Sequence, residues 1–295
     1  AAVLAALLNS QPMGFYSPSQ LIQDARRHGV EVRPADAALS QWDCSMENGA
    51  GNDAKSSAVR LGLRMVGGLA RAAATRLVAS RLHASVEDLA QRAELNRKDL
   101  KCLAAAGALQ SLAGHRRNAH WAVSGVEKGS AFLPSEAGAA DKIEFEPPGE
   151  GEEIVADYQS LGFTLGRHPL ALLRIHLEKL RMVKAENLSL LRHGSFVRAA
   201  GLVTCRQRPD TASGVVFVTL EDESGCVNVV VWRDLLERQR RELLGARLLG
   251  VEGVIQREGL VVHLLARRLE DHSGLLERLQ GEAPGALRVR SRDFH

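Results

Sequence analysis

From Phe196 onward, polar and apolar positions alternate with a period of two. In Val215–Glu221, Val216, Val218 and Leu220 share one face, and Val215, Phe217 and Thr219 take the other. After a turn at Glu223-Ser224-Gly225, Val227, Val229 and Val231 repeat the apolar phase opposite Cys226, Asn228, Val230 and Trp232. Val197–Arg206 reads as a preceding strand and Arg233–Leu244 as a helix. Arg247–Gln256 and Leu260–Arg268 then form a hairpin around Glu258-Gly259. Three strands, a helix and two strands within about 75 residues is the order of an OB-fold, a partly open five-stranded barrel.

Ahead of residue 196 the period is mostly helical. Ala1–Asn9 reads as a helix. Ser17-Pro18 supplies an N-cap and a first-turn proline for Gln20–His28, with Gly29 as the stop. Val30–Arg33 is strand-like, and Asn48–Ser57 is small and polar, as a loop or a mobile hairpin would be. From Ala58 the pattern predicts helices: Leu69, Ala73, Arg76 and Leu77 fall at helical spacing, and Ser85–Asp88 resembles a capping box. Asn96–Ala106 ends at Gly107, and a further helix after Gly114 runs through His120 and Trp121. Short helices joined by glycine turns predict an all-α module. Residues 129–153 are rich in Gly, Pro and acid and read as a linker or a loosely ordered strap. Glu153–Leu180 returns to helix, interrupted at His168-Pro169. The fold class expected is multidomain α + β, divided into 1–57, an all-α module 58–128, an acidic linker 129–165, connecting helices 166–194, an OB barrel 195–270 and a tail 271–295.

Charge sharpens this division. The 295 residues carry a net charge of only +3, yet residues 58–128 hold 12 Lys/Arg against 5 Asp/Glu, and 166–295 hold 21 against 16. Residues 129–165 hold 1 against 8. One-sided basic surface attracts a polyanion whatever the average charge. Hydrophobic content of 45% is that of a soluble globular protein, and no apolar run approaches the ~20 residues of a membrane span. With no basic leader and four scattered cysteines, a cytoplasmic protein with buried, reduced thiols is expected. The chain opens on Ala inside a helix, so a piece of something longer is expected.

The sharpest local signal is Leu61-Gly62-Leu63-Arg64-Met65-Val66-Gly67-Gly68-Leu69. Glycines at a tight turn bare backbone N–H groups, and the next helix presents its positive end, together a phosphate cradle. Arg64, Arg71 and Arg76 would add ionic contacts around Gly67, Gly68 and Leu69. This is the helix-hairpin-helix pattern, which grips a duplex backbone without reading sequence; the alternative is a plain turn needing glycine for steric reasons. A second, weaker hairpin is expected at Ala106-Gly107-Ala108, with Arg116 and Arg117 beside it. On the barrel, Phe217 and Trp232 with Arg206, Arg208, Arg233 and Arg257 suit stacked bases of a single strand, although either ring would equally serve as core. Glu221-Asp222-Glu223 reads as solvated acid at a turn. Neither a metal cluster, a nucleophile elbow nor a P-loop is present, so the sequence predicts binding without catalytic residues or a cofactor.

Several segments are recognisable as such. Gln11-Pro12-Met13-Gly14-Phe15-Tyr16-Ser17-Pro18 and Asp24–Pro34 resemble the end of the fingers region in bacterial C-family DNA polymerases. Val215–Trp232 and Gly250–Glu270 resemble that family's OB domain, and Ser291–His295 looks like the carboxyl terminus of its error-prone branch. The resemblance covers the whole chain and implies the C-terminal third of a DNA polymerase III alpha-like subunit used in damage-induced translesion synthesis. It implies that the palm carboxylates holding Mg²⁺ lie before Ala1. It also implies that the helix-hairpin-helix domain holds primer–template duplex and the OB domain lies toward single-stranded template. Replicative relatives carry a Gln-rich clamp-binding peptide where this chain reads Gly129-Ser130-Ala131-Phe132-Leu133-Pro134. That departure argues against direct sliding-clamp binding and for recruitment by accessory mutagenesis proteins. Two other readings stay open: a stand-alone adaptor for single-stranded DNA or RNA, and a barrel that docks a protein.

Overall fold

The computed structural model describes residues 1–14, 16–49, 57–126, 145–209, 214–259, 261–280 and 292–294. They form two compact units, residues 1–148 with 160–165, and residues 149–159 with 166–295. Most of the expected 48–57 loop, the linker as far as 144 with its Gly129–Pro134 stretch, and the tail at 281–291 and 295 lie outside the described residues.

The first unit opens with α1 (Ala2–Asn9) and α2 (Pro18–Arg27). The Gln20 amide donates to Ser17 Oγ at 3.3 Å and the Ser17 amide to Gln20 Oε1 at 3.1 Å, a reciprocal capping box with Pro18 at the first position. Next come β1 (Glu31–Arg33), β2 (Ser45–Asn48) and β3 (Ser57–Arg60), in the order β1-β3-β2. This sheet corrects the expectation of helix from Ala58. β3 pairs parallel with β1 and antiparallel with β2, and Ala58, Val59 and Arg60 are all buried. A central strand covered on both faces shows no alternation, so its period is invisible in sequence. Arg60 tolerates burial because Glu47 accepts from it and, at 2.7 Å, from Arg33. Arg60, with Arg33 in support, holds the Glu47 carboxyl below the usual carboxylate range. A depressed carboxyl stabilises the fold above its unfolded pKa, and that contribution fades as pH falls through the folded value.

The helices follow: α3 (Arg71–Ala79), α4 (Val86–Arg92), α5 (Arg97–Ala105), α6 (Gln110–Ala113) and α7 (Arg116–Gly125). Ser85 caps α4 by accepting from Asp88 N, while the Asp88 carboxylate accepts from Ala84 N rather than completing the box. Leu8, Ile22, Val59, Leu63, Leu77, Leu89, Leu103 and Val123 share one core. Residues 1–57 and 58–126 therefore pack as one body, without a domain boundary near residue 57.

The second unit contains α8 (Glu150–Ser160, whose last residue belongs to the first unit), α9 (Pro169–Lys179) and α10 (Ala185–Leu188). The barrel is built from β4 (Phe196–Gln207), β5 (Val216–Glu221), β6 (Cys226–Val231), β7 (Leu248–Glu258) and β8 (Val261–Asp271). Neighbours run β5-β6-β8-β7-β4, and β4 pairs back to β5 and closes the ring. Between β6 and β8 the pairing is parallel and limited to Asn228–Val230 with His263–Leu265. The helix expected over Arg233–Leu244 is two, α11 (Arg233–Arg238) and α12 (Arg240–Gly245). The break falls at Gln239, whose side chain exchanges two 2.8 Å hydrogen bonds with the Leu269 backbone. A last strand, β9 (Arg292–Phe294), pairs parallel with Cys205–Gln207. Val197, Val218, Val229, Val251 and Leu264 fill the barrel. Ile154, Tyr158, Leu170, Leu173 and Leu177 of α8 and α9 pack outside it on Leu202 and Leu248. Residues 149–159 of the expected linker and the connecting helices are thus part of the barrel unit, while residues 160–165 belong to the first.

The acidic turn is buried, which corrects its reading as solvated acid. Arg174 of α9 donates from Nε and Nη2 to Glu223 at 2.6 Å each, and Nη2 also reaches Asp222 at 3.4 Å. Asp222 accepts from the amides of Ala185 (2.8 Å), Ser224 (2.7 Å) and Gly225 (2.9 Å). His168 accepts from Leu170 N through Nδ1, so its proton sits on Nε2, 3.4 Å from Glu221. Removing the cation leaves two largely buried carboxylates uncompensated. Arg174→Ala should destabilise the barrel unit by about 3–5 kcal/mol, measured as an earlier urea transition of Trp232 fluorescence.

Candidate nucleic-acid interface

The bend before α3 exposes Gly67 and Gly68 between buried Val66 and Leu69. Gly68 has φ +82°, where a side chain is strained, and a Cβ there would lie 3.2 Å from Cys102 Sγ. Gly67 is glycine for another reason: a Cβ would come within 2.5 Å of the Ser160 carbonyl oxygen. Its amide donates to that same oxygen at 2.8 Å, so one of the expected bare amides is already used. The amides of Gly68, Arg71 and Ala72 find no acceptor among the described residues, and Ala70 offers α3 no side-chain cap. A helix start left open in this way carries partial positive charge. Arg71 is exposed, its guanidinium 5.8 Å from the Trp42 ring.

Exposed Lys98 on α5 belongs to the same neighbourhood, and sequence reading missed it. Cys102 lies against Gly68, and Lys98 partly opposes the upward push that burial gives the Cys102 thiol. The signal was present as three cations, Arg97, Lys98 and Lys101, on one short helix.

Other expected contacts are turned inward, because free backbone carbonyls claim them. Arg64 donates to the Asn9 carbonyl, to Gln11 O at 2.9 Å and to Asp43 at 2.9 Å. Arg76 holds the end of α4 through Ala93 O at 2.9 Å and Glu94 O at 3.0 Å. Gly107 is buried at φ +68°, its amide bonded to Ala104 O, and the Ala108 amide goes to Leu103 O. That bend is a helix–helix turn rather than a second cradle. Arg116 is 5% exposed, and its Nη2 lies 3.0 Å from where a Gly107 Cβ would be. Arg117 is exposed and donates to Glu146 O at 3.0 Å.

On the barrel, Phe217 is 37% and Trp232 56% exposed, so neither ring is buried core. Phe217 pairs across the sheet with Val230 and Gln207. Arg208 is exposed at the end of β4, and Arg233 is exposed and paired with Glu237 at 2.9 Å. Arg206, by contrast, is 7% exposed and caps the end of α12 through Leu243 O at 2.7 Å and Ala246 O at 2.6 Å. Arg257 ties down the loop before β4 through the Ser189 carbonyl and Leu191 O at 3.0 Å. Cys44 is buried and Cys102 and Cys205 half-buried, but Cys226 is exposed, against the expectation for all four.

Among the described residues, no group of three or more His, Cys, Asp or Glu could hold a metal ion. Nor is any described helix long and apolar enough to cross a membrane.

Residues 29–119 match the helix-hairpin-helix motif family, and residues 197–271 match the OB-fold nucleic acid binding domain family. The error-prone DNA polymerase of Azoarcus sp. (strain BH72) is 56% identical over 100% of this chain and 27% of its own length. That of Alkalilimnicola ehrlichii is 54% identical over 98% of this chain and 28% of its own. Among solved structures, the asparaginyl-tRNA synthetase from Pyrococcus horikoshii is 23% identical, with a TM-score of 0.26 over 30% of this chain and 22% of its own. The chain thus spans little more than a quarter of the curated relatives it matches. With over half its residues shared with them from end to end, it belongs to the error-prone DNA polymerase family, as the portion that carries the helix-hairpin-helix and OB-fold modules.

Proposed function

We propose that this chain is the DNA-holding portion of an error-prone DNA polymerase that acts in damage-induced translesion synthesis. The observation that carries this reading is the exposed Gly67-Gly68 bend running into an uncapped α3, with Arg71 and Lys98 beside it. Open amides and a few flanking cations suit the phosphate backbone of a duplex and carry no base preference. Exposed Phe217 and Trp232, with Arg208 and Arg233, suit the unpaired template, because any base can stack on a ring. Nucleotidyl transfer and its Mg²⁺ belong to a palm supplied elsewhere in the polymerase. Accessory mutagenesis proteins, rather than a sliding clamp held directly, would bring it to damaged DNA in the cytoplasm.

The exposed rings also suit an adaptor that binds single strands alone, and titration separates the two readings. A DNA-holding portion binds a primer–template junction more tightly than an equal length of single strand; the reverse order favours the adaptor. Arg71→Ala and Lys98→Ala should each weaken duplex binding whatever the sequence. Each should also reduce the slope of log affinity against log salt by about 0.9, as read by fluorescence anisotropy at several salt concentrations.

The barrel allows a contrast between surface and support. Phe217→Ala and Trp232→Ala should each weaken oligothymidylate binding by about 1–3 kcal/mol and leave thermal melting nearly unchanged. Arg206→Ala leaves the carbonyls of Leu243 and Ala246 without their donor and should cost about 1–3 kcal/mol of stability. Its binding, measured well below the melting transition, should match the parent protein.

A further inference from the structure

Beside α7, a short segment of the same chain occupies a set of donors that no nucleic-acid contact above uses. The Phe145 carbonyl accepts from His115 Nε2 at 2.9 Å, and the next carbonyl, Glu146, accepts from Arg117 Nη1 at 3.0 Å. The His115 tautomer is set by geometry: Nδ1 accepts from Asn118 N at 3.3 Å, so the proton is on Nε2 and points outward. Asn118 Oδ1 in turn accepts from Phe145 N at 3.4 Å. The Phe145 ring rests on Trp121, centroids 5.4 Å apart and tilted by 57°, while Trp121 stays 55% exposed. Pro147 and Pro148 follow, in a sequence stretch dominated by acid.

A peptide carbonyl holds only partial charge, and two of them in succession present acceptor oxygens as one phosphate group does. Donors that bond to neutral carbonyls bind an anionic oxygen more strongly, by charge assistance. We infer that His115 and Arg117 form a phosphate-binding pair for the nucleic-acid backbone, and that the Phe145–Glu146 strap fills it from within the chain until DNA displaces it. The inference rests on the DNA-holding reading and adds to it a second contact point, away from the Gly67-Gly68 bend. It also gives Arg117 the role that the buried Gly107 turn cannot support. Tethered nearby, the strap competes as a high local concentration of a weak ligand, so loosening it should raise affinity rather than lower it.

The test uses the full chain and a fluorescein-labelled 20-base-pair duplex without sequence preference. Phe145→Ser removes the ring from Trp121 and leaves both donors in place. Asn118→Ala removes the acceptor for the Phe145 amide by an independent route. Each should tighten duplex binding by about 3- to 10-fold and leave the salt slope unchanged, since DNA reaches the same phosphate contacts once the strap is displaced. Adding Arg117→Ala to either variant should cancel the gain. Unchanged or weaker binding by variants that melt like the parent protein overturns the inference, as does a gain that survives Arg117→Ala. If the parent protein binds duplex and the variants show no gain, only the strap fails. If neither parent nor variants bind duplex, the DNA-holding reading falls and the strap falls with it.

Discussion

Carbonyl oxygens at the ends of helices and loops set the terms for this protein. Each has to find a donor once water is excluded, and arginine supplies it again and again. Arg64 serves Asn9 and Gln11, Arg76 serves Ala93 and Glu94, Arg206 serves Leu243 and Ala246, and Arg257 serves Ser189 and Leu191. Arg81 does the same for Leu39 and Ser40. A planar guanidinium with five fixed N–H groups can span two neighbouring carbonyls, which a lysine ammonium does less well. The chain stitches its loops to its cores in this way, and many of its cations are unavailable to a polyanion.

What remains for DNA is correspondingly spare. The first unit offers open amides at Gly68, Arg71 and Ala72, with Arg71 and Lys98 exposed nearby. The second offers two half-exposed rings on a sheet whose inner face is packed with valine and leucine. Contacts of this kind, to backbone and to ring faces, carry no base preference.

The barrel was legible because its strands alternate: Val216, Val218 and Leu220 point inward, and Phe217 lies opposite in phase and emerges on the surface. The bend at Gly67-Gly68 was legible for a similar local reason, since two adjacent glycines mark backbone that a side chain would obstruct. The three-stranded sheet was not, because Ala58, Val59 and Arg60 are buried in succession and the parallel partner, Glu31–Arg33, lies well before them in sequence. Nor could the fate of Arg64 or Arg206 be read, since it depends on where distant carbonyls come to rest. The acidic turn misled for the opposite reason: Glu221–Glu223 has the composition of solvated acid, but Arg174 arrives from a helix 48 and 49 residues away. Local grammar reveals elements; it does not reveal which charge a remote helix will bring.

The closed ring of strands has a consequence for how the chain is made. Phe196–Leu202 of β4 pairs with Leu248–Val254 of β7, and β6 reaches β8 through only three residue pairs. A ribosome emitting about 5–20 residues per second therefore leaves the outer border of β4 without its mate for several seconds, a bare β-edge of the kind that recruits foreign strands. Local hairpins β4–β5 and β5–β6 assemble early, and ring closure has to wait for β7 and β8 to emerge. Newly synthesised protein is most prone to aggregate in that interval.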